Sequence, residues 1–143
     1  MSDAVAHRGP DDSGIHFDED IGLGLVHRGL SIIDLSELGR QPMWNISGTT
    51  AIVFNGEIYN FRELRRELVD AGHAFRSSSD TEVLLILYLR DGESMLARLN
   101  GIFAFALWDS RSRKLFLARD GVGVKPLYYL CKRAEGVAAS AER

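Results

Sequence analysis

Apolar and polar positions along this chain recur with two different periods, and the switches between them mark out the elements. Ala51-Ile-Val-Phe54 is a short apolar run with β-branched residues and reads as a buried strand. Asn55-Gly56 breaks it. From Phe61 the period lengthens, and Phe61, Leu64 and Leu68 share one face of a helix. Asn60, with Glu63 three residues on, gives a capping-box pattern, a device worth about 1 kcal/mol. Gly72 stops that helix. Ser77-Ser-Ser-Asp80 opens a second helix, Thr81 to Arg90, and Gly92 ends it. Its run Val83-Leu-Leu-Ile-Leu-Tyr-Leu89 is apolar almost all round and belongs deep in a core. A short third helix is expected over Ser94 to Leu99, ahead of Gly101.

The remaining runs have the period of strands. Ile15-His-Phe17 and Ile21-Gly-Leu-Gly-Leu-Val-His27 flank the acidic Asp18-Glu-Asp20, which predicts a hairpin with a charged tip. Gly22 and Gly24 leave one face of its second strand bare, room for another backbone to approach. Leu30-Ser-Ile-Ile-Asp-Leu35 is a further strand, and Ser36 to Asn45 a loop containing Gln41-Pro42. Ile102 to Trp108 and Lys114 to Asp120, joined by the polar turn Asp109-Ser-Arg-Ser-Arg113, predict a long hairpin, and Pro126-Leu-Tyr-Tyr-Leu130 one more strand. Ser2 to Ala6 has helical propensity but is too short to stand alone. His7-Arg-Gly-Pro-Asp-Asp-Ser-Gly14 is a loop dense in turn formers. Hairpins with a helical pair between them predict an α+β fold with largely antiparallel sheets.

Composition narrows the class. At 143 residues the chain is at most one domain, and 45% apolar residues suffice for an ordinary core. The net charge of -3 is spread without a basic stripe, which argues against nucleic acid. The apolar runs are too short to span a bilayer, and the N-terminal residues lack signal-peptide character. The single cysteine, Cys131, excludes an internal disulfide and fits a reducing, cytoplasmic setting.

Candidate chemistry is sparse. His7, His16, His27 and His73 show no metal-ligand spacing, and phosphate-loop and dinucleotide glycine patterns are absent. Gly121-Val-Gly-Val is followed by no helix. Cys131 ends an apolar strand and reads as a packed thiol. Asp11 and Asp12 read as loop solvation, and Asp80 by itself as an N-cap. A strand that stops on Asn55-Gly56 and feeds a helix puts an amide side chain and an unhindered backbone N–H at one spot, the parts of an oxyanion hole. As a bare dipeptide, Asn-Gly is more often a simple turn.

Several stretches occur together and in order: His7 to Gly14, Leu30 to Leu35, Gln41-Pro42, Phe54-Asn-Gly-Glu-Ile-Tyr-Asn60, Ser79-Asp-Thr-Glu82, Asn100-Gly-Ile-Phe-Ala-Phe-Ala106, and Ala118-Arg-Asp120 with Lys125-Pro-Leu-Tyr128. Together they resemble the glutaminase domain of glutamine-dependent asparagine synthetase, a class II glutamine amidotransferase domain. The resemblance implies an N-terminal-nucleophile hydrolase fold, a four-layer α/β/β/α sandwich of two mainly antiparallel sheets. It also implies hydrolysis of glutamine to glutamate and ammonia, with the ammonia passing to a synthetase domain that uses ATP and magnesium. No cofactor is implied for the glutaminase domain itself. Residue by residue, Asn55 and Gly56 resemble the oxyanion-hole pair, and Asp80 the carboxylate that holds the α-amino group of glutamine. Glu57 falls in the same glutamine-contacting turn, and Leu30, Ser31, Ile32 and Ile33 resemble the strand lining that pocket. Asn-Gly-Glu-Ile-Tyr-Asn and Phe-Ala-Phe-Ala favour the asparagine synthetase branch over a glucosamine-phosphate synthase or an amidophosphoribosyl transferase.

The chain departs from that family in ways that carry expectations of their own. The family nucleophile is a cysteine at the mature N-terminus, assisted by its own α-amino group; this sequence has Ser2 after Met1, at a position matching the first helix. Neither Ser2 nor Cys131 replaces it. The resemblance therefore implies an incomplete domain, missing its first strand and most of its first helix, without its synthetase domain and without glutaminase activity of its own. The alternative is a non-catalytic glutaminase-like binding module or a decayed fragment. Gly29 stands where the family has an arginine that pairs with the α-carboxylate of glutamine, and Arg28 falls on the other side of the strand. A charge-assisted pair lost there weakens binding by about 2 kcal/mol. Gly121 replaces a charged or polar residue. An uncovered sheet edge and apolar face would favour a homodimer.

Overall fold

The computed structural model describes residues 12–29, 39–132 and 136–140. β1 (Asp12–Asp18) and β2 (Leu23–Gly29) form the expected hairpin around the acidic tip, with Ile15 opposite Val26. β3 (Met43–Trp44), β4 (Thr50–Ile58), β5 (Gly101–Asp109) and β6 (Lys114–Arg119) lie in that order in a four-stranded sheet. β7 (Tyr128–Lys132) and β8 (Gly136–Ser140) make a second ribbon. All of these pairings are antiparallel. Between β4 and β5 the chain forms α1 (Phe61–Asp70), α2 (Asp80–Asp91) and a 3-10 helix (Gly92–Arg98).

The core sits on one face of the four-stranded sheet. Register places Phe54 opposite Phe105 and Ile52 opposite Leu107, and β6 continues that face with Phe116 and Ala118. Leu64 and Leu68 of α1 and Val83, Leu84 and Leu87 of α2 pack with them into one buried cluster. Phe116 meets Phe105 edge-on with ring centroids 5.6 Å apart and stacks on Tyr88 at 5.9 Å. β2 packs near β4 and buries Leu25. Gly72 ends α1 as expected: its N–H donates to Val69 O and that of His73 to Leu68 O, both at 2.9 Å, with a positive φ of 91° at the glycine.

Several expectations give way to tertiary partners. β4 does not stop at Phe54, because β5 offers a partner at each next position: Ala104 to Asn55, Phe103 to Gly56, Ile102 to Glu57. Met43-Trp44 is a short strand inside the expected loop, supported by Ile52 and Ala51. β1 starts at Asp12 within the expected His7–Gly14 loop, β7 starts at Tyr128 rather than Pro126, and β8 had no counterpart in the pattern. The third helix is 3-10 and begins at Gly92. Among the described residues no backbone meets a Cβ at Gly22 or Gly24: at Gly24 it would touch the Phe17 ring at 3.4 Å, and at Gly22 it would meet nothing within 4 Å. The readings of Ser2–Ala6 and Leu30–Leu35 fall outside the described residues.

Asn60 stands at the N-cap position of α1 as expected, but its side chain makes no cap bond. Its Nδ2 donates to Arg98 O at 2.9 Å and its Oδ1 accepts from the Asn100 N–H at 3.0 Å, while the Tyr59 N–H donates to Asn100 O at 2.8 Å. The amide thus stitches the exit of β4 to the entry of β5. Ion pairs of Arg90 and Arg98 with Glu67 and Asp91 tie α1, α2 and the 3-10 helix together behind this seam.

The loop after β6 is organised by Asp120, whose buried carboxylate accepts the backbone N–H groups of Phe103, Val122, Gly123, Val124 and Lys125. Burial alone would raise its pKa. The donors, Lys125 and Val124 foremost, outweigh burial and hold it down to about 2. A carboxyl depressed in the fold contributes stability that is present above its unfolded value of 3.8 and lost as pH falls through the folded one. The urea midpoint should therefore drop between those two values, and Asp120→Asn should flatten that dependence. An unchanged acid limb in the variant would contradict this role. A Cβ at Gly121, within the same loop, would meet nothing within 4 Å among the described residues, so their packing does not impose that glycine.

Candidate functional site

Strand alternation builds the site at the far end of β4. The Phe54 N–H donates to Gln41 Oε1 at 2.5 Å and the Ile58 N–H to Asp80 Oδ2 at 3.2 Å, both on the edge turned away from β5. The N–H of Gly56 lies between them on that same edge. Gly56 has a φ of 147°, and a Cβ there would stand 2.1 Å from Ile102 O and 2.7 Å from Phe103 Cα. Only glycine lets β4 lie this close to β5 in that conformation. Gly101 is the matching concession across the ladder, where a Cβ would meet Glu57 O at 2.2 Å. Asn55 and Glu57 project from the other face of β4, away from the helices; Asn55 is half-buried and Glu57 exposed.

Asp80 is not the cap of α2. Ser79 takes that role, its Oγ accepting from the Thr81 N–H at 3.0 Å. Asp80 is the first helical residue, only 4% exposed, and its carboxylate is directed to the backbone of β4. Burial raises its pKa above the usual 3.8. The N–H groups of Ile58, Thr81 and Asp80 itself pull the other way, and the neighbouring charge of Glu57 adds to the rise. The loop ahead of Asp80 is set by Glu82, which accepts from the N–H of Arg76 at 3.0 Å and from both the N–H and the hydroxyl of Ser77 at 2.7 Å. Glu82 stands three residues after Ser79, the spacing of a capping box, but its carboxylate bonds Arg76 and Ser77 while the Ser79 N–H donates to Ser77 Oγ at 3.3 Å.

The structure thus brings Gly56, Glu57 and Asp80 to one place, with Asn55 beside them. Leu30, Ser31, Ile32 and Ile33 lie outside the described residues. Gly29 closes β2, opposite Asp12, and Arg28 lies opposite Ser13. Cys131 lies on β7, opposite Val137. Among the described residues no three His, Cys, Asp or Glu side chains gather as a metal site, and no helix is long and apolar enough to cross a membrane. Gln41 is the residue that sequence reasoning missed: nothing in Gln41-Pro42 announces that its side chain reaches β4 and α2. Chemically, two adjacent carboxylates, one buried, favour an incoming cation, and an N–H on a strand edge is placed to donate to an oxygen gaining negative charge.

The whole chain, residues 1–143, matches the family model of the glutamine amidotransferase domain. It is 48% identical over 129 residues to the glutamine-hydrolyzing asparagine synthetase 1 of Bacillus subtilis, covering 90% of this chain and 20% of that protein. Asparagine synthetase 2 of the same organism is 41% identical over 140 residues, covering 98% and 18%. Asparagine synthetase 2 of Arabidopsis thaliana is 45% identical over 128 residues, covering 90% and 21%. The chain therefore spans about a fifth of the length of these relatives. Among solved structures, the glutamine phosphoribosylpyrophosphate amidotransferase of B. subtilis superposes with a TM-score of 0.68 at 24% identity, over 84% of this chain and 28% of that one. The allosteric regulatory enzyme of purine biosynthesis gives 0.63 at 27%, over 76% and 26%. The fold is α+β, of the N-terminal-nucleophile hydrolase type.

Proposed function

This chain belongs to the glutamine amidotransferase domain family, and from that premise we propose that the end of β4 binds L-glutamine. The bond from the Ile58 N–H to Asp80 Oδ2 carries the reading, because it draws the carboxylate against the end of β4 that holds Gly56 and Glu57. Asp80, with Glu57 beside it, takes the α-ammonium group. The side-chain amide of Asn55 and the N–H of Gly56 face the side-chain carbonyl oxygen, which becomes an oxyanion when that amide is attacked.

In an asparagine-synthetase-like protein the released ammonia would pass to a synthetase domain, and ATP and magnesium would act there, outside these residues. The 143 residues hold one cysteine, Cys131, on a different ribbon from β4. They accordingly bind glutamine without turning it over. Calorimetry with L-glutamine and with glutaramic acid, which keeps amide and carboxylate but lacks the amine, tests this. The amine-free compound should bind at least about tenfold more weakly, and an ammonia assay should stay at the buffer blank. Equal affinity for the two compounds would contradict the amine site. Steady ammonia release would contradict the absence of a nucleophile.

A further inference from the structure

β4 and α2 carry the two halves of the site, and one side chain touches both. Gln41 Oε1 accepts from the Phe54 N–H at 2.5 Å, the donor just before Asn55. Gln41 Nε2 donates to Thr81 Oγ1 at 3.4 Å, just after Asp80. Thr81 is buried. Among the described residues the last strand partner of β4 on this edge is Met43, opposite Ile52, so the Gln41 amide takes over where β3 gives out. Gln41 is itself held in place: a Cβ at Gly14 of β1 would stand 1.8 Å from its carbonyl oxygen, so no larger residue fits there without moving it.

We propose that Gln41 is a positioning residue for the glutamine site. Its amide fixes the strand edge that carries Asn55 and Gly56 relative to the helix start that carries Asp80. One glutamine molecule has its side-chain carbonyl and its α-nitrogen at a spacing limited by a short carbon chain, so a site that grips both ends must hold its own halves at a matching spacing. A residue that only filled space or capped one N–H would affect stability or that N–H alone. Gln41 instead couples β4 to α2, and Thr81 is the second leg of the bridge. The affinity arm of the test rests on L-glutamine being the ligand; the exchange arm does not.

Amide hydrogen exchange by NMR and L-glutamine calorimetry are run on the unmodified chain, Gln41→Leu, Thr81→Val and Thr81→Ser. In Gln41→Leu the Phe54 and Ile58 amides should exchange about tenfold faster or more, relative to Leu107 in β5. In Thr81→Val the Ile58 amide should accelerate in the same way, and Thr81→Ser, which keeps the hydroxyl, should match the unmodified chain. Glutamine affinity should fall about tenfold in Gln41→Leu and Thr81→Val and be retained in Thr81→Ser. Acceleration of Phe54 alone, with Ile58 tracking Leu107, would overturn the proposal, as would unchanged affinity in Gln41→Leu. If the unmodified chain binds no glutamine, the ligand assignment falls, and the Ile58 rate still decides whether Gln41 couples the two elements.

Discussion

Replacing Asp80 by asparagine should weaken L-glutamine binding by about 100-fold and leave the folded protein at least as stable as before. The two effects have one physical source. Asp80 is buried, and burial raises its pKa. A carboxyl raised in the fold holds its proton more tightly folded than unfolded, so the stability it gives is present at low pH and lost as pH rises through the folded value. Wherever it is ionised, the buried group is a cost to the fold. Asparagine removes that cost and still offers an oxygen to the Ile58 N–H. What it cannot supply is the negative charge for an ammonium group. The same reasoning gives a pH dependence: in the unmodified chain, glutamine affinity should fall on acidification through a pKa above the usual 3.8. Parallel thermal unfolding and calorimetry on Asp80→Asn separate this account from a structural one. A lowered melting temperature with unchanged affinity would assign Asp80 to the fold alone.

Gly56→Ala should destabilise the fold by more than about 3 kcal/mol. A methyl group there would stand 2.1 Å from Ile102 O and 2.7 Å from Phe103 Cα, against backbone on both counts, and φ is 147°. Relief requires β4 to move off β5 or Gly56 to change conformation, and either displaces the N–H that points from the strand edge. On a domain of this size the loss corresponds to about 10 °C in melting temperature. Gly48→Ala is the control. Gly48 also has a positive φ, 66°, but a Cβ there meets nothing within 4 Å, so the cost should be about 1 kcal/mol. If the two alanine variants melt together, the close approach of β4 and β5 is not what demands glycine at position 56.

What the sequence revealed and what it concealed divide along a physical line. The stripe of Phe61, Leu64 and Leu68, the apolar α2 and the β5–β6 hairpin were legible because each is written in its own local period. The length of β4 was not, since Asn55-Gly56 breaks strands locally and only the partners in β5 carry it through to Ile58. Asn60 and Glu63 have the form of a capping box, but Arg98 and Asn100, nearly forty residues on, compete successfully for that amide. Asp80 looked like a cap for the same local reason, while Ser79 caps and leaves the carboxylate for β4. In the candidate site, Asn55, Gly56, Glu57 and Asp80 were singled out by chemistry and resemblance. Gln41 entered only as part of a matching stretch, with no role for its side chain, because that role is defined by two elements that sequence does not show to be adjacent.

The most direct test of the central claim is a titration of the isotopically labelled chain with L-glutamine, following backbone amides by NMR. The account predicts saturable shifts concentrated at Gly56, Glu57, Ile58 and Asp80, which in Asp80→Asn need about 100-fold more glutamine. Saturating glutamine that leaves those amides unmoved would contradict it.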